Sequence, residues 1–110
     1  MISVVVPTRD RPEALARCLA ALARQRGADE LEIVVVDDSD GGGAAAPGAR
    51  VVHGGARGPA AARNLGVRAA RGAIVCFTDD DCVPAPDWAQ RLAAACADGG
   101  AAAGPTLADP

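Results

Sequence analysis

Short runs of β-branched residues alternate along the chain with stretches in which apolar residues recur at helical spacing. ISVVV (2–6), EIVVV (32–36) and AIVCFT (73–78) are almost wholly apolar, which is typical of strands buried on both faces of a sheet. Val51 and Val52 predict a short additional strand between the second and the last of these runs.

The stretch after the first strand predicts an amphipathic helix that packs on the sheet. Its apolar positions follow the i, i+3, i+4, i+7 pattern: Leu15, Cys18, Leu19 and Leu22. Asp10 and Glu13 have the spacing of a capping box, with Pro12 in the first turn. Gly27 is the expected end of this helix.

Two further helices are predicted. One covers 59–71, opened by Pro59 and closed by Gly72. The other covers 86–97, with Pro86 in its first turn and Asp87 placed to complement the helix dipole.

Two stretches lack a periodic pattern. The Gly- and Ala-rich segment 39–49 predicts a flexible loop that packs poorly. The segment 101–110 shows no clear element.

The order of elements is strand, helix, strand, loop, strand, helix, strand, helix. This order predicts an α/β fold, a Rossmann-like and mostly parallel sheet with flanking helices and right-handed crossovers. At 110 residues the chain forms one domain at most. Ligands of such sheets bind beyond the carboxyl ends of the strands.

Composition excludes some partners and favours a reducing environment. The net charge is −3, which argues against nonspecific binding to nucleic acid or anionic membrane. No run approaches the roughly 18 apolar residues of a membrane span. The four cysteines lack zinc-site spacing, and we interpret Cys18, Cys76 and Cys96 as small core residues. The expected location is therefore cytoplasmic, or peripheral at the inner face of the membrane.

Acidic clusters follow two of the strands. Asp79, Asp80 and Asp81 repel one another by about 4 kcal/mol per pair at a protein-like dielectric, so either this is a solvated turn or a cation lies against it. The D-x-D spacing would let two carboxylates share one divalent ion. Asp37 and Asp38 either form an ordinary turn or accept hydrogen bonds from a base or ribose.

The segment RGPAAARNLG (57–66) places guanidinium groups near the start of a helix. Arg57 and Arg63 are either solvated or positioned to contact phosphate or ribose oxygens. His53 at a strand end is more often structural than catalytic. The sequence contains no G-x-G-x-x-G after the first strand and no Lys for a P-loop.

Three consecutive blocks of the chain carry a family resemblance: VVPTRDRPEALARCLAAL, EIVVVDDS and RGPAAARNLGVRAARGAIVCFTDDDCVPAPDW. Together they resemble the N-terminal half of family 2 glycosyltransferases with the GT-A fold. The resemblance implies that 1–110 is a partial domain, the donor-nucleotide-binding half, and that the acceptor half is absent. It also implies transfer of a sugar from a UDP- or GDP-linked donor to an unknown acceptor.

The resemblance further implies roles for particular residues. Those expected to bind the nucleotide sugar are Pro7, Thr8, Arg11, Asp37, Arg63, Asp79 and Asp80. Asp81, with Asp79, is the expected ligand of Mn²⁺ or Mg²⁺. No residue matches the family's catalytic base, which is expected in the acceptor half.

Two alternatives to a transferase stay open at this point. The first is a non-catalytic remnant that binds nucleotide or metal, or a module that depends on a partner chain. The second is an acidic α/β domain that binds neither.

Overall fold

A computed structural model describes residues 1–27, 30–41, 43–95 and 107–108 of the chain. Its elements are β1 (Ile2–Thr8), α1 (Pro12–Ala23), β2 (Leu31–Asp37), β3 (Arg50–His53), α2 (Pro59–Ala69), β4 (Ile74–Phe77), β5 (Cys82–Val83), α3 (Trp88–Ala95) and β6 (Leu107–Ala108).

Four strands form a parallel sheet in the order β3-β2-β1-β4. The apolar, β-branched β1 and β2 lie at its centre, as expected of strands covered on both faces. The predicted α/β fold with a mostly parallel sheet is confirmed. The antiparallel pair β5–β6 was not predicted, and the expectation that 101–110 holds no element was wrong for Leu107–Ala108.

Helices cover the sheet on both faces. Successive side chains of a strand point to opposite sides, so the apolar strands present apolar side chains to both layers of helices. Val4 and Val6 belong to the larger core cluster, which includes the buried stripe of α1 and also Trp88 and Leu92 of α3. Val5 belongs to a smaller cluster with Val34, Val36 and Ala62 of α2.

Helix α2 lies very close to β1, and a glycine makes this approach possible. A Cβ on Gly66 would lie 2.2 Å from Val5 Cγ1, so no larger residue fits without a shift of the helix. This contact explains why a glycine stands inside a helix, although glycine there lowers helix stability by about 1 kcal/mol relative to alanine.

The ends of α1 and α2 differ from their predicted positions. The capping box is wrong, because the N-cap residue of α1 is Arg11 and it makes no side-chain capping bond. Asp10 instead adopts a left-handed conformation, with φ of 54°. Helix α2 ends at Ala69, before the expected 59–71 limit. Gly72 therefore does not end this helix. A Cβ at Gly72 would lie 2.6 Å from Met1 O, so a close backbone approach explains the glycine instead.

Helix α3 begins at Trp88, so Pro86 and Asp87 precede it and do not form its first turn. Asp87 O accepts a hydrogen bond from Arg91 N (3.0 Å), and the two side chains form an ion pair of 3.9 Å. The predicted end at 97 lies outside the described residues.

The 39–49 segment packs better than its composition predicts. Ala44, Ala46 and Ala49 are partly buried against the larger core cluster. The expectation of a poorly packed loop was therefore wrong for these residues, because the small alanine side chains fit against the sheet.

The cysteines agree with the sequence interpretation where the structure describes them. Cys18 and Cys76 are buried, as interpreted from the sequence, while Cys82 is half-buried. Cys96 lies outside the described residues. Among the helices that the structure describes, none has both the length and the apolar character needed to cross a membrane.

A carboxylate is tightly held at the amino edge of the sheet. Glu32 accepts hydrogen bonds from Ser3 Oγ (2.6 Å), Arg50 Nη2 (2.6 Å) and Arg71 N (2.8 Å). Arg50 also donates to Ala69 O, and Gly72 N donates to Ser3 Oγ. The hydrogen bond from Ser3 is the main cause that lowers the pKa of Glu32 to about 2. We call Ser3, Glu32, Arg50 and Arg71 the amino-edge clamp.

Candidate functional site

The carboxyl ends of three strands bring polar residues to one edge of the sheet. Thr8 and Asp37 are neighbours in the β1–β2 register, and Asp38 N donates to Thr8 O (2.8 Å). On the other side of β1, Thr78 N donates to Val5 O (3.2 Å). The acidic triplet follows Thr78 directly in the chain. The convergence follows from the parallel order of the strands.

A cleft of about 410 Å³ opens at this edge. Six of the seven residues expected to bind the nucleotide sugar line this cleft: Pro7, Thr8, Arg11, Arg63, Asp79 and Asp80. The expected metal ligand Asp81 lines it as well. The cleft is also lined by Arg9, next to Thr8 in the loop after β1, to which the sequence interpretation gave no binding role. Its position at the carboxyl end of a buried strand was the available signal.

The three consecutive aspartates have different environments. Asp80 is only 5% exposed; its Oδ2 accepts a hydrogen bond from Thr8 Oγ1 (2.8 Å) and its Oδ1 accepts one from Arg11 Nη1 (3.5 Å). Asp79 and Asp81 are exposed. The central carboxylate therefore anchors the triplet to β1 and α1, while the outer two face the cleft.

A tight turn orients the outer carboxylates. Cys82 N donates to Asp79 O (3.2 Å), which closes the turn over 79–82. Beneath it, the Cys18 thiol donates to the same carbonyl (3.6 Å). Burial, and then the neighbouring Cys82 and Asp80, raise the pKa of Cys18 to about 12, so it stays a neutral thiol.

Arginines partly compensate the charge of the triplet. Arg11 lies 3.8 Å from Asp81, and Arg63 lies 3.8 Å from Asp79. All four side chains are about half or more exposed, so these long ion pairs contribute little to stability. Both the carboxylates and the guanidinium groups stay available to a ligand.

Asp37 lies in a neighbouring pocket of about 240 Å³ and organises the loop that follows β2. Its carboxylate accepts hydrogen bonds from Ser39 N (3.1 Å), Ser39 Oγ (2.6 Å) and Ala44 N (2.9 Å). Burial opposes ionisation, but these hydrogen bonds outweigh it and the pKa of Asp37 is lowered. Among the described residues, these donors use three of the roughly four acceptor positions of the carboxylate, and Asp37 is only 2% exposed.

Asp38 holds the start of α2 beside the cleft. Its two oxygens accept hydrogen bonds from Arg57 N (2.9 Å) and Gly58 N (3.0 Å). A Cβ on Gly54 would lie 2.9 Å from Asp38 Oδ1, which explains the glycine there. The backbone amides before this helix therefore already donate to a carboxylate. The sequence interpretation considered phosphate or ribose oxygens at this position.

The outer carboxylates suit a divalent cation. Oxygens of Asp79 and Asp81 and the sulfur of Cys82 lie within 4.8 Å of one another. Carboxylate oxygens are the ligands that Mg²⁺ and Mn²⁺ prefer, so the two aspartates fit the expected ion. Asp80 is engaged with Thr8 and Arg11 and lies outside this group.

Comparison with known proteins identifies the family. Residues 3–108 match the profile of Glycosyl transferase family 2, and the chain belongs to this family. A relative, the pre-mycofactocin glycosyltransferase of Mycobacterium tuberculosis, is 35% identical over an alignment of 103 residues that covers 83% of this chain and 20% of the relative. The chain spans about a third or less of the length of the curated relatives it matches.

Solved structures show the same fold. S. aureus TarS 1-349 in complex with UDP-GlcNAc superposes with a TM-score of 0.69 and 26% identity, over 88% of this chain and 31% of that one. The mannosyltransferase PcManGT from Pyrobaculum calidifontis, in complex with GDP-Man and Mn²⁺, superposes with a TM-score of 0.64 and 28% identity, over 76% and 28% of the two chains. Both neighbours have a nucleotide sugar bound.

Proposed function

We propose that this protein acts in glycosyl transfer from a nucleoside-diphosphate sugar, with Mn²⁺ or Mg²⁺ as the cofactor. One observation carries the proposal: six of the seven residues expected to bind the donor, and the expected metal ligand, come from separate parts of the chain and line one cleft. Family membership and the nucleotide sugars in the two structural neighbours support it.

In this proposal the two pockets divide the donor between them. The smaller pocket takes the nucleoside base, since Asp37, the residue expected to contact the base, lines it. The larger cleft takes the ribose and diphosphate, with Pro7 and Thr8 at its floor. Thr8 and Arg11 line both pockets and mark the connection between them.

Asp79 and Asp81 hold the metal ion in this proposal. When bound, the ion neutralises the diphosphate and stabilises negative charge on the leaving nucleoside diphosphate. Asp80 keeps the turn in position through Thr8 and contributes to the cleft as an anchor. The buried hydrogen bond from Thr8 holds the middle carboxylate of the triplet against the end of β1.

The arginines at the cleft exchange partners when the donor binds. Without ligand, Arg11 and Arg63 lie beside the carboxylates of Asp81 and Asp79. With donor and ion bound, Asp79 and Asp81 would hold the ion, and the guanidinium groups would be able to contact the diphosphate oxygens, which they match in geometry. The positive charge of the ion would offset the negative charge of the diphosphate.

We propose that the chain is the donor half of a GT-A domain. Transfer with inversion needs a base that takes the acceptor's proton, and we place that base, with the acceptor site, in a further part of the enzyme. The acceptor is unspecified. The cytoplasmic location, and the expectation that nucleic acid is not a partner, stay predictions.

Calorimetric titration tests the proposal. The chain is titrated with UDP and then with GDP, in Mn²⁺ and again in EDTA, after circular dichroism has shown that it is folded. Binding that needs the metal supports the proposal, and the preferred nucleotide identifies the donor class. A folded sample that releases no heat with either nucleotide contradicts donor binding by this cleft.

A further inference from the structure

Three arginines line the cleft, and one of them differs from the other two. Arg11 and Arg63 each lie 3.8 Å from a carboxylate of the acidic triplet. The side chain of Arg9 lines the same cleft, and within the part of the chain that the structure describes it forms no ion pair. The roles proposed above for the cleft arginines do not include Arg9.

The chain on either side of Arg9 is held in place. Before it, Thr8 Oγ1 donates to the buried Asp80 (2.8 Å), and Thr8 O accepts a hydrogen bond from Asp38 N (2.8 Å). After it, Asp10 adopts its left-handed conformation, with φ of 54°, just before α1 begins. Arg9 is therefore presented at the carboxyl end of β1, where its exposed side chain lines the cleft.

An anion can bind Arg9 without displacing a carboxylate. The guanidinium groups of Arg11 and Arg63 are shared with carboxylates, which the proposed metal ion would take from them. Arg9 has no such pair to lose, so its charge is available whether or not the ion is bound. A guanidinium group matches phosphate oxygens in geometry and forms charge-assisted hydrogen bonds with them.

We propose that Arg9 binds a phosphate group of the donor directly, and that its contribution to affinity does not depend on the metal ion. This inference rests on the proposed function in one respect, which is that the diphosphate lies in the larger cleft. It adds a second means of holding the diphosphate, separate from the ion. The contributions of Arg11 and Arg63, in contrast, depend on the metal because the ion releases them from their carboxylates.

Inorganic pyrophosphate in EDTA tests this contribution in the absence of both a base and a metal ion. The probe is titrated into the intact chain, and binding is followed through the backbone amide resonances, which report affinities in the millimolar range. Arg9→Gln should weaken pyrophosphate binding by about tenfold, since a hydrogen bond between two charged groups is lost. Arg63→Gln should weaken it by less than about twofold, because without the ion Arg63 stays beside Asp79.

UDP and GDP extend the test to the complete nucleotide. Arg9→Gln should weaken binding of the preferred nucleotide by about tenfold in Mn²⁺, measured by calorimetry, and by the same factor in EDTA. Affinity for the free nucleoside, uridine or guanosine, should not change. A loss of nucleoside affinity as large as the loss of nucleotide affinity would place Arg9 at the base and overturn the proposal.

Arg68→Gln is the matched control. Arg68 lies in the last turn of α2 and does not line the cleft, so its replacement reports only the effect of total charge. It should leave pyrophosphate binding unchanged, and equal losses in Arg9→Gln and Arg68→Gln would overturn the proposal. Arg9→Lys, which keeps the charge without the forked geometry, should bind with intermediate affinity and serves as the second variant if Arg9→Gln does not fold.

The proposed function and this inference fail in different ways. If UDP or GDP binds with Mn²⁺ and Arg9→Gln binds it equally well, Arg9 is not a phosphate ligand and the proposed function stands. If pyrophosphate binding depends on Arg9 but neither nucleotide binds with Mn²⁺, the phosphate contact stands and the proposed function fails. A folded sample that binds neither pyrophosphate nor nucleotide in EDTA overturns the metal-independent contribution of Arg9.

Discussion

The two edges of the sheet contain the same residue types in different arrangements. At the amino edge, Glu32 is 12% exposed and holds its partners at 2.6–2.8 Å. At the carboxyl edge, Asp79 and Asp81 are exposed, and their arginine partners lie 3.8 Å away. Both edges combine carboxylates with arginines, yet Glu32 has close protein donors for its charge and the exposed Asp79 and Asp81 have only long ion pairs.

The difference separates a structural site from a binding site. The carboxylate of the amino-edge clamp has three donors, two of them on neighbouring parts of the sheet, so it stabilises the fold and has little capacity for a ligand. The outer carboxylates of the triplet gain little from their exposed ion pairs, so a cation or a diphosphate can take the place of those pairs at small cost.

Asp81→Ala should have the largest effect on the carboxyl edge. We expect metal-dependent UDP or GDP binding to weaken by about 100-fold or more, because one of two proposed carboxylate ligands is lost. The free energy of unfolding should change by less than about 0.5 kcal/mol, since the side chain is exposed. Calorimetry and urea denaturation measure the two effects.

The matched control for this change is Asp87→Ala, which removes a carboxylate outside the cleft that pairs with Arg91. It should leave nucleotide binding unchanged. Equal nucleotide affinity in Asp81→Ala and the unsubstituted chain would remove Asp81 from the metal site.

Glu32→Gln should have the converse effect at the amino edge. It keeps the size of the side chain but removes the charge that three donors share, so we expect the free energy of unfolding to fall by about 1 to 3 kcal/mol. Urea denaturation measures this loss, with the exposed Glu30→Gln as control. Nucleotide affinity should not change, and a parallel loss of affinity would mean that the edges are coupled.

The stabilising effect of Glu32 should depend on pH. Its pKa is about 2 in the folded chain and 4.5 as the ordinary value, so folding favours the ionised form. The contribution is complete above about pH 4.5 and is lost as the pH falls towards 2. The difference in unfolding free energy between the unsubstituted chain and Glu32→Gln should therefore be constant near pH 7 and shrink below pH 4.5. A difference that grows on acidification would reverse the assigned sign.

The smallest effects on stability should come from replacing single arginines. One such substitution at each edge compares the two edges directly. Arg50→Gln removes hydrogen bonds to Glu32 and Ala69 O and should cost about 1 kcal/mol of stability. Arg63→Gln removes an exposed pair with Asp79 and should cost less than about 0.5 kcal/mol, while weakening nucleotide binding. Thermal unfolding of both variants is the measurement, and equal losses would show that the two edges do not differ as described.

Much of the fold could be predicted because its signals are local. The β-branched runs and the helical stripe of α1 specify their elements through propensity and apolar periodicity, and their alternation predicts a parallel sheet. The errors lie where tertiary contacts override local signals: Asp10 does not cap α1, and Ala44 packs against the core. The two-residue strand β6 carries no pattern long enough to detect.

The sequence by itself determined that acidic residues follow β2 and β4 and that these ends meet at one edge, because parallel strands run in one direction. Only the tertiary structure decided what each carboxylate does. Of three adjacent aspartates, Asp80 is buried because Thr8 and Arg11 lie against it, and its neighbours face the cleft. Glu32 carried no signal in the sequence, since Ser3, Arg50 and Arg71 are distant along the chain and reach it only when the sheet and α2 pack together.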